Sequence, residues 1–175
     1  ASAATGLENR FYRIAFDPAT GAISSIRDKQ LDVELVDQTA PHKFNEYLYE
    51  RYESSQARTS KWYRVQSARL SAANGPVAGV MTIKASAIGA DQITQTVTLY
   101  HDLKRIDFAL DLVKAPSGRT FRIPNASVLN KESVYVALPF AVPDFRFYHE
   151  LPGAVAEPIR DQFNGSCTAY YAARH

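Results

Sequence analysis

The chain has 175 residues, of which 46% are hydrophobic and 22% charged, with a formal net charge of +2. This length suits one domain with a sizeable core, so we predict that residues 1–175 form a single domain. Basic and acidic residues are interspersed, which excludes the basic footprint of a nucleic-acid-binding protein. No apolar run approaches the ~20 residues that a membrane helix needs.

The single cysteine and the first six residues bear on disulfides, metal sites and secretion signals. Cys167 is the only cysteine, so neither an internal disulfide nor a thiol-based metal site can form within one chain. Residues 1–6 lack the charged n-region and the long apolar h-region of a signal peptide. We therefore expect no signal peptide within the sequence and treat the cysteine as a reduced, small hydrophobic residue.

The first third of the chain predicts a three-stranded meander. Apolar residues alternate over 12–16, return over 23–26 and alternate again over 31–35. Residues 17–21 and 28–30 separate these runs, and they carry the Asp, Pro and Gly residues that favour turns. The period of two therefore indicates short, half-buried strands from the start of the chain.

Further strands follow the meander. The clearest hairpin has one run over 93–100, a turn at 101–104 and a second run over 106–112. Other predicted strands lie at 44–52, 63–70, 77–87, 134–140 and 145–150. Breakers stand at 74–76, 117–118 and 164–165, and the polar stretch 54–60 is a predicted loop. No segment predicts a helix of ten residues, so the pattern indicates an all-β sandwich or barrel.

Paired carboxylates are the first candidates for chemistry, because glycoside hydrolysis commonly needs two of them. Asp107 and Asp111 share one face of a predicted strand. Four residues at a rise of ~3.3 Å place them ~13 Å apart. Catalytic carboxylates lie roughly 5–10 Å apart, so we interpret this pair as part of a solvated polar row.

The sequence contains no recognisable motif for a metal site or for a catalytic nucleophile. The four histidines are scattered and form no His-x-His or His-Glu-x-x-His pattern; they are His42, His101, His149 and His175. The sequence Gly165-Ser166-Cys167 does not match the Gly-x-Ser-x-Gly elbow of serine hydrolases. We therefore predict no catalytic residue and no metal site in this chain.

An aromatic stretch at 44–52 is the strongest candidate for a binding site. On an extended strand Asn45, Tyr47, Tyr49 and Arg51 share one face. Flat aromatic faces beside polar side chains are typical of sugar recognition, so we predict carbohydrate binding by Asn45, Tyr47 and Tyr49. Trp62, in the pair Trp62-Tyr63, is a further candidate, although a place in the core is the stronger interpretation for it. The alternative is a tyrosine-rich strand half buried in the sandwich.

Several blocks, in order, resemble the C-terminal region of glycosyl hydrolase family 38, which contains the α-mannosidases. Residues 7–13 (LENRFYR) and 16–29 (FDPATGAISSIRDK) resemble the opening of that region. Later blocks resemble its downstream segments: 44–49 (FNEYLY), 131–140 (KESVYVALPF), 148–153 (YHELPG) and 161–166 (DQFNGS). Each block alone is weak, but their common order across nearly the whole chain is specific.

The resemblance implies an antiparallel supersandwich of the galactose-mutarotase type. It also implies that the nucleophilic Asp and the zinc ligands belong to a preceding α/β catalytic domain of the same polypeptide, with no cofactor in this chain. In the family the sandwich packs against that domain and helps to shape the sugar cleft. Asn45, Tyr47 and Tyr49 are the positions carried over as possible cleft-lining residues.

Two departures from the family pattern bear on that comparison. Glu46 stands where the family usually has Gln, and Asn164 stands where it usually has Pro. Residues 170–175 stop where the family continues into another strand. We therefore expect a partial domain with a free strand edge, which favours self-association.

Three hypotheses for function follow. The first is a non-catalytic sandwich domain that supports the catalytic domain of a retaining α-mannosidase-like enzyme. The second is a free-standing carbohydrate-binding module built on Tyr47, Tyr49 or Trp62. The third is a mutarotase-like epimerase that would need an acid and a base converging on one sugar. His149 or His101 with Glu150 are candidates for that pair, but no motif supports the pairing.

Overall fold

The computed structural model describes residues 5–52, 60–116, 132–151, 153–157 and 160–161. Within these ranges the regular secondary structure is entirely β-strand and every pairing is antiparallel. The all-β fold class is therefore confirmed. In the same ranges no helix has the length and apolar character to cross a membrane. The chain divides into two compact units, 1–141 and 142–175, and each is described by itself.

The first unit opens with a small four-stranded sheet in the order β1-β2-β3-β4. Its strands are β1 (Gly6–Glu8), β2 (Tyr12–Phe16), β3 (Ile23–Asp28) and β4 (Val33–Glu34). Asn9 closes the turn between β1 and β2, because its side-chain oxygen accepts hydrogen bonds from the amides of Phe11 and Tyr12 at 2.8 and 2.6 Å. The predicted meander is confirmed, and β1 precedes it.

A larger sheet has the order β10-β5-β6-β7-β8-β9. Its strands are β5 (Glu46–Tyr52), β6 (Ser60–Asn74), β7 (Ala78–Ala87), β8 (Ala90–Tyr100), β9 (Ile106–Lys114) and β10 (Glu132–Ala137). The predicted hairpin is confirmed as β8 and β9, with Val97 opposite Phe108. Because opposite residues of an antiparallel pair share a face, the apolar rows of these two strands lie on the same side.

The two sheets enclose one hydrophobic core. Residues from the small sheet and its connections pack against the inner face of β7 and β8; the buried members are Leu7, Ile14, Phe16, Ile23, Ile26, Val36, Phe44, Met81, Ile83, Val97 and Leu99. The approach is closest at Gly21, where an added Cβ would lie 2.3 Å from Cγ2 of Ile83 and where φ is +73°. Only glycine satisfies both conditions.

The chain after β10 passes from the large sheet to the small one. The amide of Asn45 donates to the carbonyl of Ala137 at 2.7 Å, which extends the pairing of β5 with β10. Beyond that point the amide of Asp37 donates to the carbonyl of Pro139 at 3.0 Å, and Val36 bridges Phe140. One continuous backbone segment therefore connects both sheets along one side of the sandwich.

The large sheet also curls on itself. At one place Gln95 of β8 donates a hydrogen bond to the carbonyl of Asn45, just before β5, at 2.8 Å. At another, Lys114 at the end of β9 forms an ion pair with Glu132 at the start of β10. Contacts between strands that are far apart in the sheet order require curvature, so this architecture is consistent with a sandwich.

The described part of the second unit contains one hairpin. Its strands β11 (His149–Leu151) and β12 (Ala154–Ala156) join around Gly153, whose φ is +82°. The predicted strand at 145–150 is wrong for residues 145–148, which lie outside any strand. Phe145 and Phe147 are 56% and 55% exposed. Alternating apolar residues form a strand only where a partner backbone pairs with them.

Other predicted boundaries shift or fall outside the described ranges. Ser60, assigned to a loop from the sequence, begins β6 and pairs with Tyr52. The rest of that predicted loop lies outside the described residues, as do the breakers at 117–118 and 164–165 and the residues Cys167 and His175. The prediction of a single domain stays a prediction.

Candidate functional site

The four residues predicted to bind carbohydrate lie on two opposite faces of the large sheet. Tyr49 pairs with Tyr63, and the neighbouring Glu50 pairs with Trp62. Because successive residues of a strand point to opposite faces, Tyr47 and Tyr49 share the inner face while Trp62 lies on the outer face. The structure therefore does not bring the four side chains together.

The inner-face tyrosines are part of a second buried cluster. Tyr47 is 0% exposed and Tyr49 2%, and both pack with Ala87 and Ile93. The ring of Tyr49 lies against the turn between β7 and β8, where a Cβ added to Gly89 would be 2.6 Å from the ring. In this conformation the two rings contact the core, so carbohydrate binding by them stays a prediction that would require movement of β5.

Asn45 is buried at the start of this strand. It has a φ of 59°, in the left-handed region that asparagine tolerates better than most residues. Gln95 donates to its backbone oxygen at 2.8 Å and to its side-chain oxygen at 3.2 Å. Within the described residues, the side-chain nitrogen of Asn45 and the hydroxyl of Tyr47 have no hydrogen-bond partner. Asn45 therefore fixes the entry to β5 rather than presenting its amide to solvent.

A charged group closes the inner face where the two edges of the large sheet meet. The hydroxyl of Tyr49 donates to the carboxylate of Glu132, which also accepts a hydrogen bond from Lys114. Burial and this carboxylate acceptor raise the pKa of Tyr49 to about 12. Burial acts to raise the pKa of Glu132, but the bonds from Lys114 and Tyr49 outweigh it and hold that pKa below its usual value. The three residues join β5, β9 and β10.

The outer face carries a row of three rings that we call the aromatic row: His42, Trp62 and Tyr135. The ring centroids of Trp62 and Tyr135 are 5.5 Å apart with planes 29° from parallel. The ring centroid of His42 is 6.0 Å from that of Trp62, and the two ring planes are 33° from parallel. Trp62 is 44% exposed and Tyr135 36%. The row is therefore a surface feature, and Trp62 is the one predicted binding residue that belongs to it.

Arg64 lies beside the aromatic row and is held by several acceptors. Its Nε is 3.3 Å from the carboxylate of Glu46. Its Nη2 donates to the carbonyl of Pro41 at 2.5 Å and lies 3.0 Å from Nδ1 of His42. Since a guanidinium can only donate, Nδ1 accepts and the proton of a neutral imidazole is on Nε2. Glu46 also accepts from the amide of Lys43 at 2.7 Å.

A second carboxylate lies beneath the rings. Glu50 is only 4% exposed although it is on the outer face, opposite Trp62. The hydroxyl of Tyr135 donates to it at 3.1 Å. Two buried carboxylates therefore anchor the site, with Glu46 holding Arg64 and Glu50 holding Tyr135, because hydrogen bonds to charged groups are the stronger ones.

Sequence reasoning missed His42, Arg64 and Tyr135 as members of this surface. Alternation could have placed Glu46 and Glu50 on the face opposite the tyrosines. It could not have placed Tyr135 there, because its pairing with Leu48 joins segments more than eighty residues apart in the chain. The signal that was available in the sequence is the spacing of Trp62 and Arg64, which are two residues apart and so share one face of an extended strand.

Several carboxylates elsewhere are held in ion pairs. The hydrogen bonds from Arg13 and Lys29 lower the pKa of Glu8 to about 2. The pKa of Asp28 is lowered mainly by Lys104, whose Nζ is 2.8 Å from the carboxylate. Ion pairs of this kind keep a carboxyl group ionised, so these two residues are hydrogen-bond acceptors at neutral pH.

The two aspartates of β9 differ from each other. Asp107 accepts from Arg105 at 2.6 Å and from Tyr100 at 2.9 Å, and the hydrogen bond from Arg105 is the main cause of its lowered pKa. Asp111 is exposed opposite Thr94. In the ranges that the structure describes, no group of three or more His, Cys, Asp or Glu residues could hold a metal ion.

Comparison with known proteins supplies the family. No curated protein matches the chain. The family model described as the glycosyl hydrolases family 38 C-terminal domain matches residues 7–162. That match covers both sheets of the first unit and the β11–β12 hairpin. The chain therefore belongs to the C-terminal domain family of the family 38 glycosyl hydrolases.

Proposed function

We propose that this chain is a non-catalytic sandwich domain of an α-mannosidase-like, retaining glycoside hydrolase. Its partner would be a catalytic domain of the same polypeptide, which carries the nucleophilic carboxylate and the zinc. The family match over residues 7–162 supports this assignment. Within it, the domain's role is to support the catalytic domain and to exclude water from one wall of the sugar cleft.

The state of the carboxylates is the observation that carries the proposal. A general acid for glycoside hydrolysis needs a raised pKa, so that it holds a proton at working pH. Among the described residues, every carboxyl group with a shifted pKa is shifted downward; these groups are Glu8, Asp28, Glu34, Asp37, Asp107 and Glu132. Their donors are structural side chains and backbone amides, so they act as acceptors within the fold.

The histidines of the described part of the chain are poorly placed to bind the zinc that the proposed enzyme needs. His101 donates from Nε2 to the carbonyl of Gly75 at 2.9 Å and closes a turn. His42 is hydrogen-bonded to a cation, Arg64, which is a poor neighbour for a metal ion. The donor set in the described part of the chain therefore does not suit zinc, and we assign the metal to the preceding domain.

An activity assay tests the proposal directly. The 175-residue chain should not hydrolyse a chromogenic α-mannoside, with or without added zinc. The catalytic domain of the same polypeptide should hydrolyse it, and should bind this chain and gain activity or stability from it. Turnover by the purified chain would refute the proposal, and so would a catalytic domain that is fully active and does not bind the chain. A Tyr47→Ala chain, which should be unfolded or weakened, is the control for specific binding.

A free-standing carbohydrate-binding module is the second candidate. The exposure of Trp62 beside Arg64 is the observation in its favour. A sugar-binding surface on the outer face is compatible with both candidates, so sugar binding alone does not distinguish them. The presence of a catalytic domain in the same polypeptide separates the two.

A further inference from the structure

We propose that the aromatic row and Arg64 form a saccharide-binding surface, which takes the apolar face of a hexopyranoside. The surface lies on the outer face of β10, β5 and β6, away from the inner-face tyrosines. The site itself is inferred from its geometry. The expectation that the sugar is an α-mannoside rests on the proposed function.

The rings supply the stacking surface. His42, Trp62 and Tyr135 follow one another with centroid separations of 6.0 and 5.5 Å and with planes about 30° from parallel. Trp62 and Tyr135 are stacked, so each partly covers the other, and the open part of the row is the 44% of Trp62 and the 36% of Tyr135 that stay exposed. The C–H face of a pyranose is apolar and flat enough to lie on such a surface, while its hydroxyl groups point outward.

The polar groups at the edge supply donors. Among the described residues, Arg64 uses Nε and Nη2 for its contacts with Glu46, Pro41 and His42. The two N–H groups of Nη1 are therefore available to a ligand, and so is Nε2–H of His42. Sugar hydroxyls accept as well as donate, so fixed donors beside a ring surface match a neutral polyol.

The site is held in place before any ligand arrives. Glu46 and Glu50 are 8% and 4% exposed, and they fix Arg64 and Tyr135 through the hydrogen bonds described above. Leu48, 3% exposed, fills the space between them on the same face. A preformed surface avoids the entropy of ordering long side chains on binding. A saccharide makes few contacts, so its affinity depends on keeping this entropy loss small.

The mixed character of the surface favours a sugar over a protein partner. The centre of a protein interface is typically depleted of charge. Here Arg64 lies beside the rings in an ion pair with Glu46, and a second buried carboxylate, Glu50, lies beneath them. A neutral ligand with many hydroxyls adds no charge of its own and can replace the water on the N–H groups of Arg64, so we commit to a saccharide as the occupant.

Fluorescence titration tests the proposal, because Trp62 is the only tryptophan of the chain. Methyl α-mannoside and an α-linked oligomannoside are titrated into the 175-residue chain. We expect a saturable change in emission with a Kd of about 1 mM. Sorbitol has hydroxyls but no ring face, so it should give no saturable change. An equal response to sorbitol would overturn the proposal.

Variants separate this surface from other aromatic surfaces. Tyr135→Ala keeps the reporter and should weaken binding about tenfold, since it removes one ring together with the hydrogen bond from its hydroxyl to Glu50. Phe145→Ala removes an exposed ring of the second unit and should leave the Kd unchanged. Trp62→Phe keeps an aromatic ring at this position, so calorimetry should detect sugar binding to this variant. The Trp62→Ala variant should show no binding. Thermal melts establish that each variant is folded.

The outcomes are distinct from those of the activity assay. The titration tests binding at the aromatic row by itself, whether or not the chain has a catalytic partner. No saturable change up to about 100 mM sugar, a Kd range beyond useful recognition, would overturn the proposal. Protection of Trp62 by the catalytic domain, measured by quenching, would also overturn it and assign the aromatic row to the domain interface.

Discussion

The two faces of strand β5 come from the same seven residues and differ in what covers them. On the inner face Tyr47 and Tyr49 are buried among apolar side chains, which include the ring of Tyr63. On the outer face Glu46 and Glu50 are also buried, but exposed rings and an arginine lie above them. A tyrosine is therefore no better an indicator of a binding surface than a glutamate, because burial and partners decide which one can meet a ligand.

The comparison predicts that inner-face truncation has the largest effect on stability. Tyr47→Ala should lower the free energy of unfolding by about 3–5 kcal/mol, because it leaves a large cavity where the side chain is fully enclosed. Urea unfolding followed by Trp62 fluorescence measures this. A loss below about 1 kcal/mol would mean that the inner face is not packed as described.

The turn beneath Tyr49 should be nearly as sensitive. Gly89→Ala should cost about 2–3 kcal/mol, because the new Cβ would meet the Tyr49 ring at 2.6 Å and because φ there is +90°. Gly75→Ala is the matched control. Its nearest atom, the carbonyl of Ala78, is at 3.6 Å, so its stability should change little. Equal effects of the two substitutions would contradict the close packing of Tyr49 on the turn.

Removing single hydroxyl groups separates the two tyrosines. Tyr49→Phe should cost about 1.5 kcal/mol, because Glu132 loses a donor in a mostly buried position. Tyr47→Phe should cost close to nothing, because that hydroxyl has no partner among the described residues. Comparing the unfolding midpoints of the two variants tests the difference. The reverse order would show that Tyr47, rather than Tyr49, is bonded in solution.

Acid should weaken the group that closes the inner face. The folded-state pKa of Glu132 lies below the ordinary value of 4.5, so its ionised form contributes stability that is complete above pH 4.5 and lost as pH falls through the lowered pKa. The difference in unfolding free energy between wild type and Glu132→Gln should therefore shrink below pH 4.5. A difference that stays constant from pH 7 to pH 3 would exclude this linkage.

The outer face should tolerate truncation best. Trp62→Ala should cost less than about 1 kcal/mol, because the side chain is 44% exposed and its removal leaves no enclosed cavity. Thermal unfolding followed by circular dichroism suits a variant without tryptophan. A cost comparable with that of Tyr47→Ala would mean that Trp62 is a structural residue, and it would weaken the case for a ligand surface.

Local pattern determined much of this protein. Alternation with a period of two predicts a strand without reference to the rest of the chain, so the meander, the β8–β9 hairpin and the all-β class could be read directly. The ordered blocks between residues 7 and 162 likewise indicated the family that the comparison found. Both kinds of signal are carried by residues close together in sequence.

What covers each face was decided by the tertiary structure. Phe108 alternates in phase with the other apolar residues of β9 but is 39% exposed, because it lies on the last strand of the sheet order. Tyr49 is buried because its ring packs against Gly89 in the turn between β7 and β8 and against Ala87 and Ile93, which are distant from it in sequence. The aromatic row needs residues 42, 62 and 135 together. Burial and convergence depend on contacts between distant segments, and no local pattern contains that information.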